Sequence, residues 1–436
     1  MNIYDAVIGQ QVFDPCLPSY DELQGCIRCG RCLPVCPTYG ETQLEMYSPR
    51  GRLSLLRAVE DGKLEINRGV EAHLYHCLDC RACNTVCPPG VRIGELIVRG
   101  RVAVEEQYAR PQWIKFMLQH VLIGAERAEV LSGPLRGTQF LKLDRLGAGT
   151  LGWVPGIGAK LRQLVEFAPQ MRRPIRSELP RVTPAVGPRR HRVAFFLGCM
   201  MNVAMPDVSR ATVRVLARAG CDVVTPRGQA CCGAPQDDQA MLDLSREMAR
   251  RNITLFEPLL GEVEAIVTDC AGCSAGLKEY AEWLHDDPAW AARAQAFSAK
   301  VRDVTEWLDA VWPEDLPLRH APAATTYHDP CHLANLQNIR SQPRRLLARV
   351  EGLEMRALPD SHPVRCCGSA GIYNLTHTPM ALSLLDRKMA DVAATGAELV
   401  VSANPGCLMQ LEWGRRRSGA KIAVKHVVQV LDESLL

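Results

Sequence analysis

Two stretches constrain this chain more than any other: CIRCGRCLPVCP, Cys26 to Pro37, and CLDCRACNTVCP, Cys77 to Pro88, which share the spacing C-x2-C-x2-C-x3-C-P. A structural zinc site typically uses two ligand pairs separated by a dozen or more residues. Cysteines at every third position instead suit adjacent corners of a cubane iron–sulfur cluster. In paired runs of this kind the fourth cysteine crosses to the other cluster, because the following proline turns the chain away from its own loop. The spacing therefore predicts one [4Fe-4S] cluster on Cys26, Cys29, Cys32 and Cys87, and a second on Cys77, Cys80, Cys83 and Cys36. Such clusters pass one electron at a time, and two of them can drain a two-electron donor in sequence.

The chain has 19 cysteines in 436 residues. Disulfides would require export, but MNIYDAVIGQQ has no basic segment followed by an apolar one, and no run of 18 apolar residues occurs. A cytoplasmic chain with metal-ligating cysteines is expected. The length implies two or three domains, and a net charge of +3 gives no reason to expect a nucleic-acid partner. The Arg-rich segment from Arg172 to Arg192 reads as a solvated linker, and Cys16 and Cys221 as plain buried thiols.

Between the cysteine runs, Ser48 can cap a helix that starts at Pro49 and sets Leu53, Leu56 and Val59 on one face before Gly62. A second helix is expected from Gly94 to Ala109. Arg50 and Arg52 read as exposed helix arginines, with tuning of a cluster or docking of a partner as the alternative. GAGTLG, Gly147 to Gly152, has dinucleotide-type glycine spacing but lacks the flanking strand and helix, so a loop is expected.

The second half repeats itself. VAFFLGC, QACCGAP and EAIVTDCAGC are answered by TTYHDPC, VRCCGSAG and ELVVSANPGC, at offsets of 132, 135 and 134 residues. Short apolar strands ending in cysteine loops alternate with amphipathic helices such as Asp207 to Ala219, which predicts two pseudo-symmetric α/β lobes with parallel sheets, their sites at strand carboxyl ends facing a common cleft. The first lobe offers Cys199, Cys231, Cys232, Cys270 and Cys273. The second offers Cys331, Cys366, Cys367 and Cys407, with Asn404 where Cys270 would align. At least one lobe is expected to bind a metal cluster, the first having the stronger set; buried thiols are the alternative. His328, His332 and His377 lie near these loops and read equally as structural or cofactor-site histidines. The expected fold is α+β and multidomain: an α-helical two-cluster ferredoxin-like domain (1–110), a helical connector (111–190) and two CCG lobes (191–318 and 319–436).

The paired cysteine runs, SPRGRLSLL, DSHPVRCCGSAGIYNLTHTPMA and SANPGC together resemble the glycolate oxidase (glycolate dehydrogenase) iron–sulfur subunit family, within a broader CCG superfamily that includes heterodisulfide reductase subunits and lactate-utilisation proteins. The resemblance implies an electron-transfer subunit with no catalytic residue for the 2-hydroxy acid. A partner FAD-containing dehydrogenase subunit would oxidise it, and electrons would leave toward a quinone or membrane acceptor, with the chain cytoplasmic or peripheral on the cytoplasmic membrane. The glycolate branch lacks a cysteine at the position of Cys270, which the superfamily's cluster-binding repeats have. That departure raises an additional noncubane cluster in the first lobe, and with it the rival of a lactate-utilisation or heterodisulfide reductase-like complex whose CCG cluster is catalytic. A structural zinc protein is a third reading.

Overall fold

The computed structural model describes residues 17–108, 111–143, 165–359 and 366–436. Cys16, the GAGTLG segment and the DSHPVR part of the resemblance lie outside the described residues. The chain divides into two compact units, Met1–Pro111 with Asp238–Met241, and Gln112–Asp237 with Leu242–Leu436.

The first unit is helical among its described residues. Ser48 caps the helix Pro49–Glu60, its hydroxyl accepting from the Gly51 amide, and Pro49 occupies the first turn. This helix buries Leu53 and Leu56 against Ile93–Gln107, which carries Ile97, Ala103 and Val104 into the same core. Gly100 permits that approach, since a Cβ there would stand 2.4 Å from Leu56 Cδ2. The helix expected from Gly94 to Ala109 thus runs from Ile93 to Gln107, and Ala109 is not among the described residues.

The second unit holds two sheets. Strands β1 (Val182–Thr183), β2 (His191–Phe195), β3 (Cys221–Val224), β4 (Ala265–Thr268) and β5 (Val301–Asp303) are ordered β1-β3-β2-β4-β5. All pairs are parallel except the β1 edge. Strands β6 (Leu318–Tyr327), β7 (Val350–Met355), β8 (Leu399–Ser402) and β9 (Ala423–His426) form a parallel sheet ordered β7-β6-β8-β9. Each parallel set runs second, first, third, fourth. Central strands β4 and β8 are buried along their whole length, as expected of apolar strands covered on both faces. The helix expected over Asp207 to Ala219 spans Pro206–Arg218.

The segment after Pro111 is built into this second unit. Helix Ala125–Phe140 buries Ala125, Ala128 and Ser132, and Gln236 donates to the carbonyls of Leu118 (3.1 Å) and Leu122 (2.6 Å). The arginines read as solvated are partly paired: Arg176 bonds to Glu126 and Glu129, both at 3.0 Å, and Arg172 to Asp207.

Candidate metal centres

The two cysteine loops of the first unit share one backbone design. Arg28 (φ 57°) and Gly30 (φ 79°) in the first run are matched by Asp79 (φ 48°) and Arg81 (φ 56°) in the second, so each loop takes two left-handed steps between its first three cysteines. The turn bonds match as well. Leu33 N donates to Gly30 O and Cys36 N to Leu33 O, as Asn84 N does to Arg81 O and Cys87 N to Asn84 O. After the fourth cysteine the chain departs: Cys36 is the N-cap of helix Pro37–Thr42, with Pro37 in its first turn.

That departure decides which sulfurs meet. Cys26, Cys29, Cys32 and Cys87 line one cavity of about 290 Å³, together with Arg50. Cys36, Cys77, Cys80 and Cys83 line another of about 370 Å³, with Arg52 and Arg81. The four-thiol donor sets fit cubane clusters. Burial pushes the Cys32 thiol up to about 11, with Cys36 and Cys26 adding to the effect, and pushes Cys83 well above the usual thiol range, with Cys77 and Cys36 adding. Crowded sulfurs of this kind resist ionisation until a metal neutralises them.

The two cavities differ in exposure and charge. Cys29 is exposed, whereas Cys36, Cys80 and Cys83 are buried. Arg50 anchors the first loop, donating to the Arg28 carbonyl at 3.0 Å while paired with Glu45 at 2.6 Å. Around the second cavity lie three buried guanidiniums. Arg52, read from sequence as exposed, is 1% exposed and donates to His73 O (2.7 Å) and Thr38 Oγ1 (3.1 Å). Arg81 pairs with Asp79 (2.6 Å) and Glu95 (2.7 Å). Arg101 donates to Cys77 O at 2.6 Å and pairs with Asp238 of the same unit at 2.9 Å. Arg81 and Arg101 are thus matched by carboxylates, and Arg52, held by neutral acceptors, is the cation that offsets the negative charge of a thiolate-ligated cluster. Arg52 had a signal in the sequence: it lies one helical turn before Leu56, on the face the helix buries.

In the first lobe all five candidate cysteines are buried. Cys199 opens helix Cys199–Ala204 after β2, Cys231 and Cys232 follow β3, and Cys270 caps helix Ala271–Trp283 after β4, its Sγ accepting from Cys273 N at 3.3 Å. Cys199 and Cys231 sulfurs stand 3.8 Å apart. The loop is held from outside: Cys231 N donates to Ile123 O, Asn252 to Cys231 O, and the Tyr280 hydroxyl to Cys232 O. Hydrogen bonds from Cys199 and Cys232 hold the Cys231 thiol well below its usual range, and its neighbours are driven up. Without metal the group tolerates little negative charge.

The second lobe is different. His328 follows β6, and its ring lies with the sulfurs of Cys367 and Cys407, the three ligand atoms mutually within 4.8 Å. Cys366 is buried and Cys331 only partly so; neither belongs to that trio. Asn404 faces the first lobe, its Oδ1 accepting from Gly272 N at 3.0 Å and lying 3.8 Å from Cys270 Sγ. His377 stacks on Tyr373 at 4.6 Å. Cys221 is fully buried in β3, and burial raises its thiol to about 11.

Comparison with known proteins follows the same division. A family model described as a 4Fe-4S dicluster domain matches residues 22–91, and one described as a cysteine-rich domain (CCG) matches residues 193–278 and 325–412. The chain is 38% identical over 423 residues to the probable glycolate oxidase iron-sulfur subunit of Bacillus subtilis strain 168, covering 95% of this chain and 94% of the relative. It is 32% identical over 419 residues to the glycolate oxidase iron-sulfur subunit of Escherichia coli K12, with the same coverage. Lactate utilization protein A of Bacillus velezensis is 33% identical over 243 residues, which is 55% of this chain and 99% of the relative.

Proposed function

Because the chain belongs to the family of glycolate oxidase iron–sulfur subunits, we propose that it accepts electrons from a separate FAD-containing subunit that oxidises the 2-hydroxy acid, and hands them on toward quinone. The observation that carries this reading is the pair of cavities, each lined by four cysteines drawn from both runs. Two [4Fe-4S] clusters there would supply one-electron carriers between a two-electron donor and its acceptor. Cys26, Cys29, Cys32 and Cys87 hold the first and Cys77, Cys80, Cys83 and Cys36 the second. Arg50 fixes the first loop, and the buried Arg52 offsets charge at the second. The exposed Cys29 marks the first site as the one within reach of a partner.

The proposed domains are a ferredoxin-type domain (1–110), a connector (111–190) and pseudo-symmetric CCG lobes (191–318 and 319–436). A cytoplasmic chain, at most peripheral on the membrane, accords with the finding that no helix among the described residues is long and apolar enough to cross a bilayer. The purified chain should take electrons from an artificial reductant yet leave glycolate untouched until the flavin subunit is added. Glycolate turnover by the chain alone would overturn this reading.

One observation favours a second reading, a lactate-utilisation or heterodisulfide reductase-like complex with a catalytic CCG cluster. Cys199, Cys231, Cys232, Cys270 and Cys273 form a complete buried set, suited to an additional noncubane cluster. Iron counting on anaerobically purified protein separates the cases, since about eight irons leave no third cluster and about twelve require one.

A further inference from the structure

We propose that the second lobe binds a single divalent metal ion of the zinc class through His328, Cys367 and Cys407, and not an iron–sulfur cluster. The argument is geometric. A tetrahedral ion about 2.0–2.3 Å from its sulfur and nitrogen ligands holds those ligand atoms about 3.3–3.8 Å apart. The three donors here lie mutually within 4.8 Å, and no other group of three histidine, cysteine or carboxylate donors among the described residues comes as close. The cysteines proposed to hold cubanes are spread around open cavities instead.

A second, independent observation points to a ligand. His328 is fully buried, and neither ring nitrogen has a hydrogen-bond partner. A buried imidazole left so costs about 1–3 kcal/mol, whereas coordination by one nitrogen removes much of that penalty. The chain fixes the residue from behind: His328 N donates to Val401 O at 2.9 Å, and Ser402 Oγ donates to His328 O at 3.0 Å. Asn404 Nδ2 donates to Cys407 Sγ at 3.6 Å, the outer hydrogen bond a ligating thiolate favours.

The repeat explains why the lobes diverge. At the offset of 132 residues His328 stands where the first lobe has Phe196, and at the offset of 134 Asn404 stands where it has Cys270. The second lobe has gained a nitrogen donor and lost a sulfur, a change that moves a site from cluster chemistry toward a mixed nitrogen and sulfur set. Two thiolates neutralise the ion's charge. This inference does not depend on which substrate the complex oxidises.

The test is metal analysis and zinc-edge X-ray absorption on the full chain, purified anaerobically from cells grown with both iron and zinc. About one equivalent of zinc is expected, with two sulfurs and one nitrogen from the protein in its first shell. His328→Ala and Cys407→Ser should each cut the zinc at least about tenfold while leaving iron content unchanged. His328→Cys, which offers a donor at the same position, should keep the ion with a three-sulfur signature and shows that loss in the alanine variant is not misfolding. Wild-type protein without zinc, zinc retained in both loss variants, or a fall of about four irons in Cys407→Ser would each overturn the proposal.

Discussion

Replacing Cys36 by alanine tests the crossed ligation most directly. Cys36 is 7% exposed and lines the cavity of Cys77, Cys80 and Cys83, although its own run supplies the other cavity. No neighbour can stand in for it. The nearest oxygen, Thr38 Oγ1 at 3.3 Å, donates to Tyr47 O at 2.7 Å and accepts from Arg52 at 3.1 Å. A cluster left with three protein ligands in a buried site should be lost, so anaerobically purified Cys36→Ala should carry about four irons fewer than wild type. The signal that survives in reduced protein should belong to the site with the exposed Cys29, and a soluble paramagnetic relaxer should broaden it strongly. Cys87→Ala should also lose about four irons but leave the shielded signal. If Cys36→Ala instead kept the shielded signal and lost the accessible one, the crossed arrangement would be refuted.

Arg52→Gln removes a buried cation that favours the more reduced state. It should lower the midpoint potential of the shielded cluster by on the order of 50 mV, about 1 kcal/mol at an effective dielectric near 20. Arg50→Gln should move the other by less, its side chain being 29% exposed; a potentiometric titration with no shift for Arg52→Gln would discount its electrostatic role. Asn404→Ala leaves the Gly272 amide without its 3.0 Å acceptor and should cost about 1–2 kcal/mol in urea unfolding, a loss that an unchanged midpoint would contradict. Burial holds the Asp303 carboxyl near 6 against the usual 3.8. The folded state therefore binds this proton more tightly than the unfolded chain, and the resulting stability, about 3 kcal/mol, is full below pH 4 and is lost as pH rises through 6. Asp303→Asn retains an acceptor for Thr305 N (2.8 Å) and should flatten that slope; an unaltered pH profile of unfolding would rule it out.

The cysteine spacing made legible which four cysteines line each cavity, because each loop sets its thiols at fixed steps and its proline where the chain leaves. The strand-and-helix alternation and the repeat offsets likewise announced the parallel strands of both sheets, though not the antiparallel β1 at the edge of the first. Less legible were features set by tertiary packing. Arg52 carried only its place one turn before Leu56 as a sign of burial, and the setting of its guanidinium between His73 and Thr38 comes from packing alone. Arg172 and Arg176 read as solvated because their partners, Asp207, Glu126 and Glu129, lie far away in sequence. His328 could be compared with Phe196 by counting, but its meeting with Cys367 and Cys407 depends on three separate loops of the sheet. Asn404 read as a missing ligand, and only the fold reveals it as an acceptor for the neighbouring lobe.

That last contact bears on heredity. The helix carrying Cys273 opens with amides and carbonyls engaged by the other repeat: Ala271 N donates to Ala403 O at 3.2 Å, Gly272 N to Asn404 Oδ1, and Gln337 donates to Ala271 O at 3.1 Å. Copies that look interchangeable on paper are thereby made complementary. Recombination that exchanged one repeat for a relative's would have to bring Ala403, Asn404 and Gln337 with a matching helix start, so the pair is transmissible as a block and resists shuffling one half at a time.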